Sequence, residues 1–312
     1  MKVRRFFPAL ALMVWVAAMI PAFGQTENPM AWVPTDSEFI ISVNVRSVAD
    51  SSLFQRILRE KGGEKAQAVL QILHNLTGVD PLKDLDRVCI WGRIDDNDSV
   101  AVLFQGRFNQ ESLLTLLKVN PMYKVADRDG VQTHEWFDQK EKRMKYGQFL
   151  SDGSALIVNQ LQTLDAAHQS RTGGKGLVAT PKAGMLPAQQ ERLSAWVALF
   201  KPERELANGK MKDTLQAQSA WASLLLDASG LAVRVNVQTV SDKAAQGWRD
   251  IAQGGLALLR LQQDNKVLAR LAGPENTSLN SKDRSTTLEL KLSEEEVMEI
   301  IGSPKGAESK KP

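Results

Sequence analysis

Apolar and polar side chains alternate between residues 38 and 46, and this pattern constrains the fold more than any other part of the sequence. The apolar positions are Phe39, Ile41, Val43 and Val45, and the polar positions are Ser42, Asn44 and Arg46. Successive side chains of a β-strand point to opposite faces of its sheet, so the segment predicts a strand that is covered on its apolar side only. We expect the polar side to be wetted or covered by polar groups.

Helices with a single apolar stripe follow strands of this kind along the chain. A broken stripe covers residues 53–76, and a leucine stripe covers residues 113–117. Three helix N-caps are predicted, at Asp80, Asn109 and Ser293. Strands near 86–93 and 99–108, a meander over 122–159 and further strands beyond residue 190 complete the pattern. The sequence therefore predicts the α+β class, with antiparallel sheets and helices packed on one face.

One internal match indicates a duplication. Residues 43–50, Val-Asn-Val-Arg-Ser-Val-Ala-Asp, resemble residues 235–242, Val-Asn-Val-Gln-Thr-Val-Ser-Asp. The order of predicted elements after each copy also agrees: a helix, two strands and a capped helix. The match favours a duplicated ferredoxin-like, split β-α-β unit.

The chain begins with the pattern of a secretion signal. Lys2, Arg4 and Arg5 precede an uncharged run over residues 6–20, and small residues stand before a predicted cleavage between Gly24 and Gln25. The run is shorter than the roughly 20 residues of a comfortable membrane span. An uncleaved signal anchor is the alternative. We expect an exported protein, periplasmic or extracellular.

The remaining boundaries follow from composition. We predict a signal peptide over 1–24, a first α+β half over 25–170, a linker over 171–190, a second half over 191–301 and a disordered tail over 302–312. The linker is rich in Gly and Pro, and the tail in Lys and Pro.

Charge and cysteine content exclude several functions. The chain has 39 basic and 36 acidic residues, and cleavage of the leader removes three basic ones. A neutral body gives no electrostatic reason to expect nucleic-acid binding or attraction to an anionic membrane, so contact with a membrane is expected only through an uncleaved signal. The single cysteine, Cys89, lies in an apolar strand pattern, and we expect it to be buried and unreactive.

No motif indicates catalysis, a cofactor or a metal. His74 and His168 lie near predicted helix ends, where they interact with the helix dipole. His134 and Glu135 are neighbours in a strand, so they face opposite sides and do not form a dyad. The acidic run 95–98 lacks the spacing of a calcium loop and is typical of a hairpin turn. Residues 173–176, Gly-Gly-Lys-Gly, are not a phosphate-binding loop.

Six tryptophans follow the leader, and we expect most of them to be core residues, with a ligand groove as the alternative. They are Trp32, Trp91, Trp136, Trp196, Trp221 and Trp248.

Several motifs between residues 34 and 170 are similar to those of exported bacterial proteins to which no activity is assigned. They are Pro34-Thr35-Asp36, the segment from Thr77 to Asp86, Gly106-Arg107-Phe108-Asn109 and the segment from Phe149 to Gly153. The resemblance implies export and an α+β layout, and carries no catalytic residues.

Three hypotheses about function stay open at this point. The first is a non-catalytic module that binds a partner protein or envelope component. The second is a carrier of an apolar ligand such as a lipid, because a one-sided sheet facing helices can enclose a cavity. The third is a hydrolase that gathers carboxylates from distant segments.

Overall fold

The computed structural model describes residues 28–107, 109–128, 130–174, 176–200, 216–261 and 270–302. These residues form one antiparallel sheet of twelve strands with helices packed against it, so the predicted α+β class is confirmed. The predicted leader with its cleavage position at Gly24 and Gln25 and the predicted tail beyond residue 302 lie outside the described residues.

The strand bounds agree with the sequence pattern to within a few residues. They are β1 Phe39–Asn44, β2 Leu85–Arg93, β3 Asp96–Gly106, β4 Lys124–Arg128, β5 Val131–Asp138, β6 Arg143–Phe149, β7 Ala155–Val158, β8 Ala195–Phe200, β9 Ala217–Asp227, β10 Gly230–Thr239, β11 Thr277–Lys282 and β12 Ser285–Leu292. The helices are α1 Val45–Asp50, α2 Ser52–Ile57, α3 Gly63–Thr77, α4 Pro81–Asp84, α5 Gln110–Lys118, α6 Leu161–Thr172, α7 Asp242–Arg260 and α8 Glu294–Gly302.

The helices begin at the predicted capping residues. The Asn109 side chain accepts a hydrogen bond from the Ser112 backbone N–H at 3.1 Å, and Asp80 caps α4 ahead of Pro81. Ser293 and Glu296 form a reciprocal capping box, in which the Ser293 backbone N–H donates to the Glu296 carboxylate at 2.8 Å. These local signals set the ends of the helices that pack on the sheet.

The first strand lies in the middle of the sheet. The order is β11-β12-β10-β9-β8-β1-β2-β3-β7-β6-β5-β4. Ile40 of β1 is paired with Trp91 of β2 on one side and with Ala198 of β8 on the other. The two predicted halves are therefore joined edge to edge through β1 and β8.

The strand order does not confirm a duplicated ferredoxin-like unit. In the first copy, β1 pairs with β2, the first strand of the hairpin that follows it. In the second copy, β10 pairs with β12, the second strand of its hairpin. The two copies thus share the order of elements along the chain but pair their strands differently.

We call one side of the sheet the core face. Buried side chains on its central strands include Ile40, Cys89, Trp91, Leu103 and Trp196. Helix α6, a 3-10 turn at Pro29–Trp32 and the segment 176–192 cover it. The segment predicted as a linker thus contributes Leu177 and Leu186 to the main core.

The expectation for β1 was wrong about which face is covered. Ile40 and Ser42 are buried, whereas Phe39, Ile41 and Val43 are half-buried. The reason is the cover from segment 176–192 and α6, which buries Ser42 between its register partners Cys89 and Trp196. In β10 the same face keeps its polar character, since Asn236 donates to Ser285 and Thr287.

We call the other side the open face. Helices α1, α2, α3, α5, α7 and α8 belong to this side, where Leu113 of α5 packs in a cluster with Phe104 and Ala155. The Thr286 hydroxyl donates to the Ala245 carbonyl of α7 at 2.7 Å.

Among the helices of the described ranges, none combines the length and the apolar character needed to cross a bilayer.

Candidate functional site

A cavity of about 150 Å³ lies between α5 and the open face of the sheet. Its lining is Phe104, Leu113, Leu116, Leu117, His134, Trp136, Gly147, Gln148, Phe149, Ala155, Leu156 and Ile157. Apart from His134 and Gln148, these are apolar residues or glycine. We call this cavity the α5 pocket.

Two local features shape the α5 pocket. The Asn109 cap fixes the start of α5, and Leu113 is buried one turn later. Gly147 of β6 allows the ring of Trp136 to lie over it, because a Cβ at residue 147 would stand only 3.0 Å from Cζ3 of that ring. A larger residue there would displace the Trp136 wall of the pocket.

His134 is the titratable group of the pocket wall, and its side chain is held on two sides. Its Nδ1 is 2.9 Å from the Tyr123 hydroxyl, and its ring meets Phe149 edge to face at 5.5 Å between centroids. Burial lowers the pKa of His134, and the Lys118 charge lowers it further. The imidazole is therefore kept neutral, which suits an apolar lining.

The apolar lining continues beyond the pocket along the open face. The half-buried side chains there include Phe39, Ile41, Val43, Ile90, Val102, Val197, Leu199, Leu224, Val233, Leu279 and Leu288. Val235 of β10 is 37% exposed. Strand pairing thus places partly exposed apolar side chains on the same face of the sheet as the pocket.

Two helices on this side carry outward apolar stripes. On α3, Val69, Ile72 and Leu76 are 41%, 54% and 59% exposed. On α7, Ile251 and Leu258 are also exposed, with Leu261 directly after the helix. Spacings of three, four and seven residues place such side chains on one helix face. Exposed apolar side chains grouped on one helix face are candidates for a binding surface.

Cys89, His74 and His168 do not line the α5 pocket. Cys89 is fully buried in the core face, and burial raises the pKa of its thiol to about 12. His74 is exposed in the last turn of α3, as expected. His168 lies within α6 rather than at its end, with Nε2 at 2.5 Å from the Gln148 amide oxygen, because α6 continues to Thr172.

The acidic and glycine-rich runs are structural in the described residues. Asp96 and Asp98, at the β2–β3 hairpin, pair with Arg93 and Arg143. Gly176 forms a bridge with Pro34. Glu135 pairs with Lys124 at 2.9 Å, on the face opposite His134. Across the described ranges, no three His, Cys, Asp or Glu side chains are grouped so that they could hold a metal ion.

The tryptophans divide between core and site. Trp32, Trp91 and Trp196 are buried in the core face, and Trp221 packs against that core. Trp136 lines the α5 pocket.

The sequence contained the parts of this pocket, namely a leucine stripe at 113–117 and an alternating strand at 131–137, but it did not show that they face each other.

Comparison with protein-family models gives no match. Comparison with curated proteins gives none either. Solved structures similar to the chain include crystal form IV of TP0453, with a TM-score of 0.46 and 9% identity over 89% of this chain and 98% of that one. Crystal form III has a TM-score of 0.45 and 9% identity over 88% and 98% of the two chains. At these values the likeness carries no argument about function.

Proposed function

We propose that this chain is a non-catalytic binding protein whose ligand is apolar, of the chemical kind of a lipid acyl chain. The observation that carries the proposal is the α5 pocket, with half-buried apolar side chains on the same face of the sheet. The proposal includes export, which rests on the leader pattern in residues 1–24.

The size of the pocket sets how much of a ligand it can hold. An apolar cavity of roughly 150 Å³ stays dry and takes up a molecule the size of benzene. The α5 pocket has this volume, so it accommodates one end of a chain. The remainder of the ligand would then lie along the open face beside residues such as Ile90 and Leu199.

Burial of apolar surface favours an apolar ligand in the pocket. Each square ångström of apolar surface that the ligand removes from water contributes about 25 cal/mol. A neutral His134 is compatible with such a ligand, whereas a charged imidazole is not.

A second proposal is contact with a partner protein of the envelope. The exposed stripes on α3 and α7 support it, because amphipathic helices are common docking elements. In that case the stripes, and not the α5 pocket, carry the binding energy.

Native mass spectrometry of the protein purified from its own host tests both proposals. We expect a lipid-sized mass increment that disappears after extraction with organic solvent. Ala155→Leu adds methyl groups inside the pocket and is expected to lower the occupied fraction at least about tenfold. Ala126→Leu, on β4 outside the pocket, is the control and is expected to retain the ligand.

The two proposals predict different results in these experiments. Folded protein with no bound small molecule, in native spectra and in solvent extracts alike, contradicts the apolar-ligand proposal. A stable complex with a second protein, insensitive to Ala155→Leu and lost when Ile72 and Leu76 are replaced by Ser, supports the second proposal instead.

A further inference from the structure

A polar cleft of about 890 Å³ opens on the opposite side of the sheet from the α5 pocket. Its floor is formed where β1, β2 and β3 place Asn44, Arg87 and Gln105 side by side. Its walls include the 3-10 turn at Pro29 and the loop 183–191. Ligand sites for small molecules have volumes of about 300–1,000 Å³, so the cleft has the size of such a site.

The two arginines of the cleft differ in their partners. Arg46 Nε lies 2.6 Å from the Asp86 carboxylate, and its Nη2 donates to the Lys83 carbonyl at 3.3 Å. Arg87 is half-buried, yet within the described part of the chain its guanidinium has neither a hydrogen-bond nor an ion-pair partner. Arg46 is thus held by contacts within the fold, whereas the Arg87 guanidinium can pair with a ligand.

A half-buried guanidinium with no protein partner can pair with an anion that enters the cleft. Taking the charge partly out of water without a partner is unfavourable. Five N–H donors in a planar fork match the two oxygens of a carboxylate. The residues beside Arg87 on the floor, Asn44 and Gln105, are polar but uncharged, so they do not neutralise it.

We infer that the cleft is a second binding site, for a small polar molecule that carries one carboxylate, and that Arg87 recognises that carboxylate. Glu191 lines the cleft and is exposed. Its negative charge offsets that of Arg87 overall and disfavours ligands with several negative charges. The site lies on the core-face side of the sheet, so it does not depend on the proposed apolar ligand.

A direct test follows the Arg87 Nε–Hε resonance by proton–nitrogen NMR during titration with N-acetylalanine. We expect a saturable shift at millimolar concentrations. N-acetylalaninamide, which lacks the carboxylate, is the matched probe and is expected to leave the resonance in place. n-Decanol, a probe for the α5 pocket, is also expected to leave it unmoved, so the two sites fail or succeed separately.

Three variants complete the test. Arg87→Gln is expected to weaken N-acetylalanine binding at least about tenfold, since it removes a charge-assisted pair. Glu191→Gln is expected to strengthen it about twofold, because a like charge is removed near the surface. Arg234→Gln, which makes the same charge change in an exposed pair with Glu289, is expected to have no effect.

Other results would overturn the inference. They are an Arg87 resonance that does not move with N-acetylalanine, an equal shift with the amide, or unchanged affinity in Arg87→Gln. The thermal midpoint checks the fold independently. Because Arg87 has no partner to lose, Arg87→Gln is expected to melt at or above the temperature of the wild-type protein, whereas a structural Arg87 would lower it.

Discussion

Leu113→Ala tests the α5 pocket through protein stability. Leu113 is 4% exposed and packs in one cluster with Phe104 and Ala155. Buried Leu→Ala changes cost about 2–5 kcal/mol, depending on the cavity that is left. Leu113 borders the α5 pocket, so the space left by Leu113→Ala opens into the pocket rather than forming a new closed cavity. We therefore expect the lower part of that range, about 2–3 kcal/mol.

Leu103→Ala is the matched control. Leu103 is fully buried on the core face, away from the pocket, and we expect its loss to cost about 3–5 kcal/mol. The assay is urea unfolding with and without n-decanol. A ligand at one hundred times its dissociation constant stabilises the folded state by about 2.7 kcal/mol.

The ligand should distinguish the two variants. We expect n-decanol to stabilise the wild-type protein and Leu103→Ala equally, and Leu113→Ala by a different amount, because only that variant changes the shape of the pocket. The reasoning is refuted if n-decanol leaves the wild-type protein unchanged, or if it stabilises all three proteins equally while Leu113→Ala loses as much stability as Leu103→Ala.

Three further predictions concern single residues. Burial lowers the pKa of His134, so the folded state binds fewer protons than the unfolded state. The free energy of unfolding should then fall as the pH drops below about 6.5, the unfolded pKa, and His134→Phe should remove that part of the slope in urea titrations; an unchanged slope contradicts this. Burial raises the pKa of Cys89 to about 12, so a thiol reagent at pH 8 should label it only after unfolding, and rapid labelling of folded protein would show that the site is open. Gly176→Ala places a Cβ 2.5 Å from the Ala31 carbonyl oxygen and should cost about 1–3 kcal/mol, whereas Gly184→Ala meets nothing within 4 Å and should change the melting temperature little.

Local features were predictable from the sequence wherever neighbouring residues determine them. Asn109 and the pair Ser293 and Glu296 cap helices as expected. The positive φ of Gly78 ends α3, whose His74 carbonyl accepts a hydrogen bond from the Gly78 N–H. In each case the hydrogen-bonding partners lie within four residues of each other.

Which segments cover each face of the sheet was less predictable from the sequence. Residues 171–190 were predicted as a linker because they are rich in Gly and Pro, yet Leu177 is fully buried in the core. Because segment 176–192 covers the core face, Ser42 of β1 is buried, whereas the sequence predicted burial of the apolar side chains on the other face. The α5 pocket also depends on long-range pairing, since Gly147 and Trp136 come from separate strands and Leu113 from a helix that precedes both. Periodicity marks such residues as apolar but cannot show the gap between them.

The central position of β1 has a consequence for how the chain reaches its final state. Its partner β2 follows closely, but its other partner β8 is synthesised much later, since Ile40 pairs with Ala198. Contacts between residues so distant in sequence slow folding, because a long loop must close first. The early part of the polypeptide must therefore wait, with one edge of its first strand unpaired, until residues near 200 are available to pair with it.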